Sequence, residues 1–544
     1  MKRVFVLTIS LLLVSAVGLS AQVAEEWVVR YDGPASGYDC AYAIAVDGSG
    51  NVYVTGYSDG SGTGYYDYAT VKYSPSGVEQ WVARYNGPAN GLDIAKALAI
   101  DGAGNVYVTG GSGGDYATVK YNSAGTEQWV ARYDGPASAN DGAYAIALDD
   151  AGNVYVTGSS EGSGTFRDYA TVKYNPSGTE EWVARYDGPG NYLDVAKAIA
   201  IDDSGNVYVT GRSVGSGIYW DYATVKYSST GVQQWVARYD GPAYEDDRAH
   251  TIAVDGSGNV YVTGGIRSSR GDYDYATIKY NSVGNQQWVA RYNGPGNDWD
   301  VATSIALDDA GNVYVTGWSF GSGTNYDYAT IKYNSAGEEQ WVARYDGPAS
   351  NWDDATAIAI DGEGNTYVTG GSGIYPTFDY ATVKYSSTGV QQWVARYDGP
   401  AGGNDEAFAL ALDGTGNVYV TGYSDGSGTY EDYATIKYSQ DVGIAEKPEP
   451  EIADYDLQVS QLNPGSAGVE ISYFLPVSTW LSLRIYDAAG REVKTLVSGK
   501  TPAGSYSVTW DGYDESGAHL AQGVYFVRLE AGSFNATKKV ILHR

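Results

Sequence analysis

The sequence predicts an all-β protein: an eight-bladed β-propeller with four strands per blade, followed by a small β-sandwich. Three observations predict it. One unit recurs eight times; each unit contains four short strand-like runs and nothing of helical period; and the repetition stops after Tyr438, where the composition changes.

The unit is defined by three motifs. W-V-x-R-Y places its Trp at 27, 81, 129, 182, 235, 288, 341 and 393, so successive copies lie 48 to 54 residues apart. G-N-x-Y-V-T-G places its Asn at 51, 105, 153, 206, 259, 312, 365 and 417. D-Y-A-T-[VI]-K-Y begins at Asp67, Asp115, Asp168, Asp221, Asp274, Asp327, Asp379 and Asp432. In the second copy the strand-like runs cover 80–85, 95–100, 105–109 and 116–121. They are rich in β-branched and aromatic residues and bounded by Gly, Asn, Asp or Ser. Four strands per unit of this length fit a propeller blade, whereas a parallel β-helix uses shorter coils.

Side-chain size sets the strand order. Blades converge on the axis, so the innermost strand (A) is the Ala-rich D-x-A-x-A run, with Ala95, Ala97 and Ala99 on one face. N-x-Y-V-T-G follows as B, D-Y-A-T as C, and the bulky Trp strand as D on the rim. The chain therefore opens on a D strand at 27–31 and ends its last repeat on a C strand at 433–438. This predicts that 27–31 completes the eighth blade and closes the ring.

These repeats resemble the bacterial SBBP family, named for seven-bladed β-propellers, through the Ala43–Gly56 run and its seven relatives over about 25–440. The resemblance implies a secreted or surface propeller and says nothing of chemistry. The chain departs from the family's name in carrying eight copies.

Ahead of the repeats, Lys2 and Arg3 precede an apolar run from Val4 to Val17 and small residues ending at Ala21, the pattern of a secretory signal peptide over 1–21. No other stretch approaches the length of a transmembrane helix. Residues 22–440 form the propeller and 441–455, with its Glu-Lys-Pro-Glu-Pro-Glu run, reads as an extended linker. From Asp456 to Arg544 acids and bases balance at eight each. Strand-like segments there cover 468–474, 481–487, 505–510, 523–530 and 538–542. Y-D-A-A-G-R-E-V (Tyr486–Val493), W-D-G-Y-D-E-S-G (Trp510–Gly517), L-A-Q-G-V-Y-F-V-R-L (Leu520–Leu529) and the Lys538–Lys539 ending resemble the Ig-like domains of flagellar-hook capping proteins and of type IX secretion sorting. The resemblance implies a secretion or attachment domain, contact with the secretion machinery, and a secreted or outer-surface location in a Gram-negative-type bacterium.

Composition excludes several chemistries. With 65 acids against 34 bases the net charge is −31, which disfavours nucleic acid and anionic membranes as partners. Cys40 is the single cysteine, so no intramolecular disulfide or Cys-based metal site exists, and only His250 of three histidines lies outside the C-terminal region. Sialidase-type propellers carry S-x-D-x-G-x-T-W before the Trp strand; here Ser74–Trp81 reads S-P-S-G-V-E-Q-W, with no Asp.

The A–B turns (D-G-x-G-N) and the C–D turns are short and nearly identical, whereas the D–A and B–C loops vary and share the opposite face, where recognition is expected. Two Asp rings border that face. One is the D-Y-A-T set and the other is Asp39, Asp93, Asp141, Asp194, Asp247, Asp300, Asp353 and Asp405. Eight copies point to strand caps and loop ties rather than to a catalytic pair. D-G-x-G-N lacks the alternating ligands of a calcium loop and reads as an Asx turn; no cofactor is expected, calcium having no ligand motif behind it.

Side chains found in only some copies carry more information. Trp220, Trp299, Trp318 and Trp352 fall in loops of the variable face on blades four, six and seven, with Tyr219, Arg212, Arg248, His250, Arg267 and Arg270 on blades four and five. Such aromatic and Arg side chains dominate binding energies, and flat rings suit sugar faces. The expected function is binding of a glycan or protein; a secreted glycan hydrolase or lyase and a structural envelope protein are the alternatives.

Overall fold

In the computed structural model, residues 23–440 and 456–542 are described, apart from 61–64, 89, 349, 375–376, 462–468, 476–478, 503 and 532–533. The expected signal peptide and linker lie outside the described residues. The chain divides into two compact units, 1–442 and 443–544. Among the described residues all regular structure is β-strand, and no helix is long and apolar enough to cross a membrane.

Unit one contains eight four-stranded antiparallel sheets. We number them 1 (39–85), 2 (93–133), 3 (142–186), 4 (194–239), 5 (248–292), 6 (300–345), 7 (352–397) and 8 (405–440 with 23–31). In sheets 1 to 7 the strands lie in chain order A-B-C-D. In sheet 8 the D position is filled by the strand Val23–Tyr31, which pairs with Glu431–Gln440 in the register Trp27↔Lys437 to Tyr31↔Tyr433. The A strands of consecutive sheets pack on one another, and the A strand of sheet 1 packs on that of sheet 8, so the Ala-rich strands are innermost as expected. A bulge interrupts A–B pairing near the fourth A residue in every sheet.

Three repeated devices join sheet to sheet. The D-Y-A-T tyrosine hydroxyl donates to the alanine carbonyl of the next sheet's C strand, from Tyr68→Ala117 round to Tyr433→Ala69; all eight bonds are formed, at 3.1–3.3 Å. In seven of the eight copies the motif Trp lies on the C–D turn of the next sheet; Trp393 does not, because sheet 8 has no such turn. Trp288 donates to Ser335 O at 3.2 Å, and Gly337 at φ +83° leaves room for its indole, since a Cβ there would stand 2.6 Å from the ring. Finally, the motif Arg reaches across B and C. Arg344 donates to Ser319 Oγ at 2.6 Å, Ser319 O at 2.8 Å and Tyr292 Oη at 2.9 Å, and pairs with Asp327 at 2.7 Å. The same Arg–Asp pair forms in seven sheets.

Sheet 5 is the exception, and one residue explains it. Ile266 stands where the other sheets have a serine, so Arg291 loses its acceptor, touches only Tyr239 Oη and turns to solvent. Asp274 is left without an ion pair, and burial, with Asp272 adding, pushes its carboxyl up to about 6.

Unit two is a sandwich of a three-stranded sheet (Asp456–Gln461, Val469–Leu475, Gly504–Trp510) and a four-stranded sheet (Glu492–Thr501, Thr479–Asp487, Gly523–Ala531, Phe534–Leu542). Leu483, Ile485, Trp510, Val527 and Leu529 fill its core. Two of these strands, Asp456–Gln461 and Glu492–Thr501, were not expected. The second carries polar K-T and S-G-K-T stretches on either side of Leu496–Val497, which hide its pairing with Thr479–Asp487.

Candidate binding face

The strand order fixes which ends share a face. A-strand starts, B-strand ends, C-strand starts and D-strand ends meet on one side, and the short turns meet on the other. On the turn side, Asp47 Oδ1 accepts from Ser49 N and Asn51 N, and Oδ2 accepts from Asn51 Nδ2 and Tyr53 Oη, all at 2.8–3.0 Å. These donors outweigh its partial burial and hold the carboxyl below the usual range. The D-G-x-G-N loop is thus an Asx turn whose carboxylate oxygens are occupied by its own backbone and side chains.

On the variable face the A-strand aspartates tie loops. Asp194 accepts from Gly188 N at 2.6 Å and Val214 N at 2.9 Å, lashing the D–A turn to the end of strand B; burial pushes its carboxyl up to about 6. In four places among the described residues the two Asp rings and a D–A loop aspartate bring carboxylate oxygens within 4.8 Å, as in Asp168, Asp187 and Asp194. In each trio the C-strand member is already bridged to a motif arginine. All eight A-strand aspartates accept a D–A glycine N–H, and seven of the eight C-strand aspartates pair with a motif arginine, Asp274 being the exception.

Seven of the ten singled-out residues come together as one belt over sheets 4 to 6, and Trp352 extends it onto sheet 7. The Arg212 guanidinium lies 4.2 Å over the Trp220 ring, and that of Arg248 lies 5.1 Å from Trp220 and 5.5 Å from Tyr273. Arg267 stands 5.5 Å over Tyr273, and Tyr273 meets Trp299 edge-on at 5.4 Å. Arg248, His250, Gly265, Tyr273, Trp299, Val301, Thr303 and Trp318 line a cavity of about 190 Å³, larger than the roughly 150 Å³ void that accepts benzene. Trp318 and Trp352 both meet Tyr326 edge-on, at 4.9 and 5.3 Å. Trp299 and Trp352 are 41 and 44 % exposed.

The structure corrects the expectation on several of these residues. Of the four tryptophans only Trp299 lies in a loop. Trp220, Trp318 and Trp352 are strand residues, because the B–C and A–B ladders run past the repeat motif to Val214↔Trp220, Phe320↔Tyr326 and Trp352↔Gly373. Arg212, Arg248, His250 and Arg267 are likewise in strands. Tyr219 is apart from the belt, in a separate depression with Gly215, Asp240 and Tyr244. Arg270 sits in an exposed turn, where its backbone N–H donates to Ser268 Oγ. His250 occupies the fourth A position, the inner ring also formed by Tyr42, Lys96, Tyr144, Lys197, Thr303, Thr356 and Phe408. In that ring Lys96 lies 3.7 Å over Tyr42 and Lys197 4.3 Å over Tyr144.

Charge is segregated around that ring. Burial and then Lys197, Arg212 and Arg248 lower His250 to about 4, so its imidazole is neutral near pH 7. Burial and then Arg212 and Lys96 lower Lys197 to about 8. On the opposite side, burial with Glu406 and Asp353 raises Asp354 to about 7, and burial with Asp425 and Glu406 raises Glu431 to about 7.

Sequence reasoning missed Gly265, Tyr273, Tyr326 and Lys197. Gly265 is where sheets 1, 4, 6 and 8 carry Tyr57, Arg212, Trp318 and Tyr423; a Cβ there would stand 3.1 Å from Tyr273 and 3.3 Å from Val301, so the missing side chain opens the cavity. Sheets 2 and 7 also carry glycine there, Gly111 and Gly371, so the position alone does not mark the cavity.

Comparison with known proteins agrees with the architecture. The β-propeller repeat SBBP matches seven segments, 29–62, 80–117, 128–164, 181–219, 234–265, 287–323 and 392–428, and the FlgD Ig-like domain matches 461–534. An uncharacterized WD repeat-containing protein of Acanthamoeba polyphaga mimivirus is 22 % identical over 436 residues, covering 65 % of this chain and 30 % of its own length. The chain therefore spans under a third of that relative. Sqt1 of Chaetomium thermophilum, solved bound to the N-terminus of ribosomal protein L10, superposes with a TM-score of 0.50 at 11 % identity, covering 77 % of this chain and all of Sqt1. PorZ, a surface component of the type IX secretion system of Porphyromonas gingivalis, gives a TM-score of 0.38 at 15 % identity over 95 % of this chain and 70 % of PorZ.

Proposed function

We propose that this chain, which carries the SBBP β-propeller repeat and a C-terminal FlgD Ig-like domain, is a secreted or outer-surface binding protein. Its eight sheets act as one eight-bladed ring closed by the strand Val23–Tyr31, and its variable face recognises a glycan. The Ig-like domain serves export or attachment.

One observation carries the reading. Aromatic and arginine side chains that the repeat does not require converge from sheets 4, 5, 6 and 7 on a single continuous belt beside a cavity. Rings met edge-on by neighbours are held in place, and such preorganised aromatic surface is what sugar faces stack upon. The A-strand carboxylates all tie D–A loops and seven of the eight C-strand carboxylates pair with arginine, which supports binding without turnover.

Screening the chain on a glycan array, then incubating each hit with the protein and analysing the products, tests the proposal. Binding with intact glycan is expected; cleavage of the hit makes the protein a hydrolase or lyase, and no binding overturns the reading.

A further inference from the structure

We infer that the ligand of this face is an acidic glycan: a uronate carboxylate is seated at the Arg212 and Arg248 guanidinium groups, and the adjoining sugar ring enters the cavity bounded by Tyr273, Trp299 and Trp318. This rests on the glycan-binding reading above and specifies its ligand class.

The cationic groups here are anomalous in a chain with 65 acids and 34 bases. In seven sheets the motif arginine is committed to its aspartate. Arg212 has no ion pair among the described residues, and Arg248 meets only Asp246, at 3.4 Å. The Nε of each is buried with no hydrogen-bond partner. A buried donor left unsatisfied costs free energy that an incoming acceptor recovers, and a carboxylate is the acceptor a guanidinium fork fits best. Both guanidinium groups lie against Trp220, so their directions are fixed before any ligand arrives. Lys197, near enough to Arg212 for the two charges to repel, adds a further uncompensated charge.

The two arginines are particular to these sheets. At the Arg248 position the other sheets carry Cys40, Ile94, Gly142, Val195, Val301, Asp354 and Glu406, and at the Arg212 position none carries a base. Immediately beside them the cavity is walled by aromatic rings and Val301, and its histidine is neutral near pH 7. A carboxylate next to a ring-shaped, partly apolar face is the chemistry of a uronate residue. A peptide bears amides that need main-chain partners, whereas half of the residues in this lining carry rings.

The test uses the full chain in titration calorimetry with three probes: an oligogalacturonate, an oligoguluronate and a glucuronate-containing oligosaccharide. Each is run beside its carboxyl-reduced form, with poly-glutamate as the peptide control. At least one uronate is expected to bind at least tenfold tighter than its reduced form, with an advantage that shrinks at high salt. Arg212→Gln with Arg248→Gln should abolish that advantage at an unchanged unfolding temperature. Should that variant fold poorly, Arg212→Lys with Arg248→Lys keeps the charge, loses the fork and should still weaken the uronate several-fold. Equal binding of reduced forms, a preference surviving both arginine changes, poly-glutamate binding as tightly, or no binding of any uronate overturns the inference. Neutral glycans bound and then lost in Trp299→Ala would sink the carboxylate seat and leave the glycan face standing; a blank glycan array sinks both.

Discussion

Replacing the same motif arginine in two different sheets should have very different consequences. In sheet 6, Arg344→Ala removes three hydrogen bonds to Tyr292 and Ser319 and a two-bond ion pair with Asp327 at 2.7 and 3.2 Å, leaving Asp327, 4 % exposed, with Thr324 Oγ1 at 3.1 Å as its remaining side-chain donor. Stranding a buried carboxylate in this way costs about 3 kcal/mol, discounted from the 3–5 kcal/mol of a fully buried pair because the Arg344 side chain is 21 % exposed. In sheet 5, Arg291 is exposed and touches Tyr239 Oη alone, so Arg291→Ala should cost under about 0.5 kcal/mol. Urea unfolding followed by tryptophan fluorescence should place the two variants about 2–3 kcal/mol apart. Adding Asp327→Asn to Arg344→Ala should recover part of the loss, since the stranded charge is then gone. Equal destabilisation by the two alanines, or no recovery in the double variant, would refute the assignment of the arginine network as a charge-neutralising inter-strand clamp.

Three further outcomes are expected. Asp39, Asp194, Asp300 and Asp353 are raised to about 6 and Asp247 to about 7, chiefly by burial; a raised carboxyl stabilises the fold below its unfolded value near 4 and loses that contribution as pH climbs through 6 to 7. The urea midpoint should therefore be higher at pH 5 than at pH 8. Deleting residues 22–31 strips the D strand and Arg30 from sheet 8 and bares the edge of Glu431–Gln440, so the unfolding temperature should fall and size-exclusion chromatography should show association. Gly337→Ala places a Cβ 2.6 Å from the Trp288 ring at a φ of +83°, and calorimetry should register a loss of about 1–3 kcal/mol, whereas Gly362→Ala, with open space around it, should show far less.

The propeller architecture was legible because it is written eight times: size alone put the alanines inside, and the misplaced Trp strand at the start predicted its pairing with the last C strand. Local readings failed where a side chain's role depends on its neighbour in space. Tyr219 and Trp220 are adjacent in sequence, yet Tyr219 ends the B–C loop in a separate depression while Trp220 opens the C strand against two arginines. Arg212, Arg248, Trp299 and Trp318 stood out because they break the repeat. Gly265 did not, because its contribution is an absent side chain, and Tyr273 and Tyr326 precede D-Y-A-T, where they pass for strand flanks. In the C-terminal sandwich, Glu492–Thr501 pairs through a ladder with two bulges, and such irregular alternation conceals a strand.

Affinity for the glycan identified on the array, measured by calorimetry on the full chain and on its Trp299→Ala and Trp318→Ala variants, bears most directly on the binding face. A loss of tenfold or more in each variant, with Trp480→Ala in the C-terminal domain unchanged as control, is the expected result. Unchanged affinity in both propeller variants would contradict it.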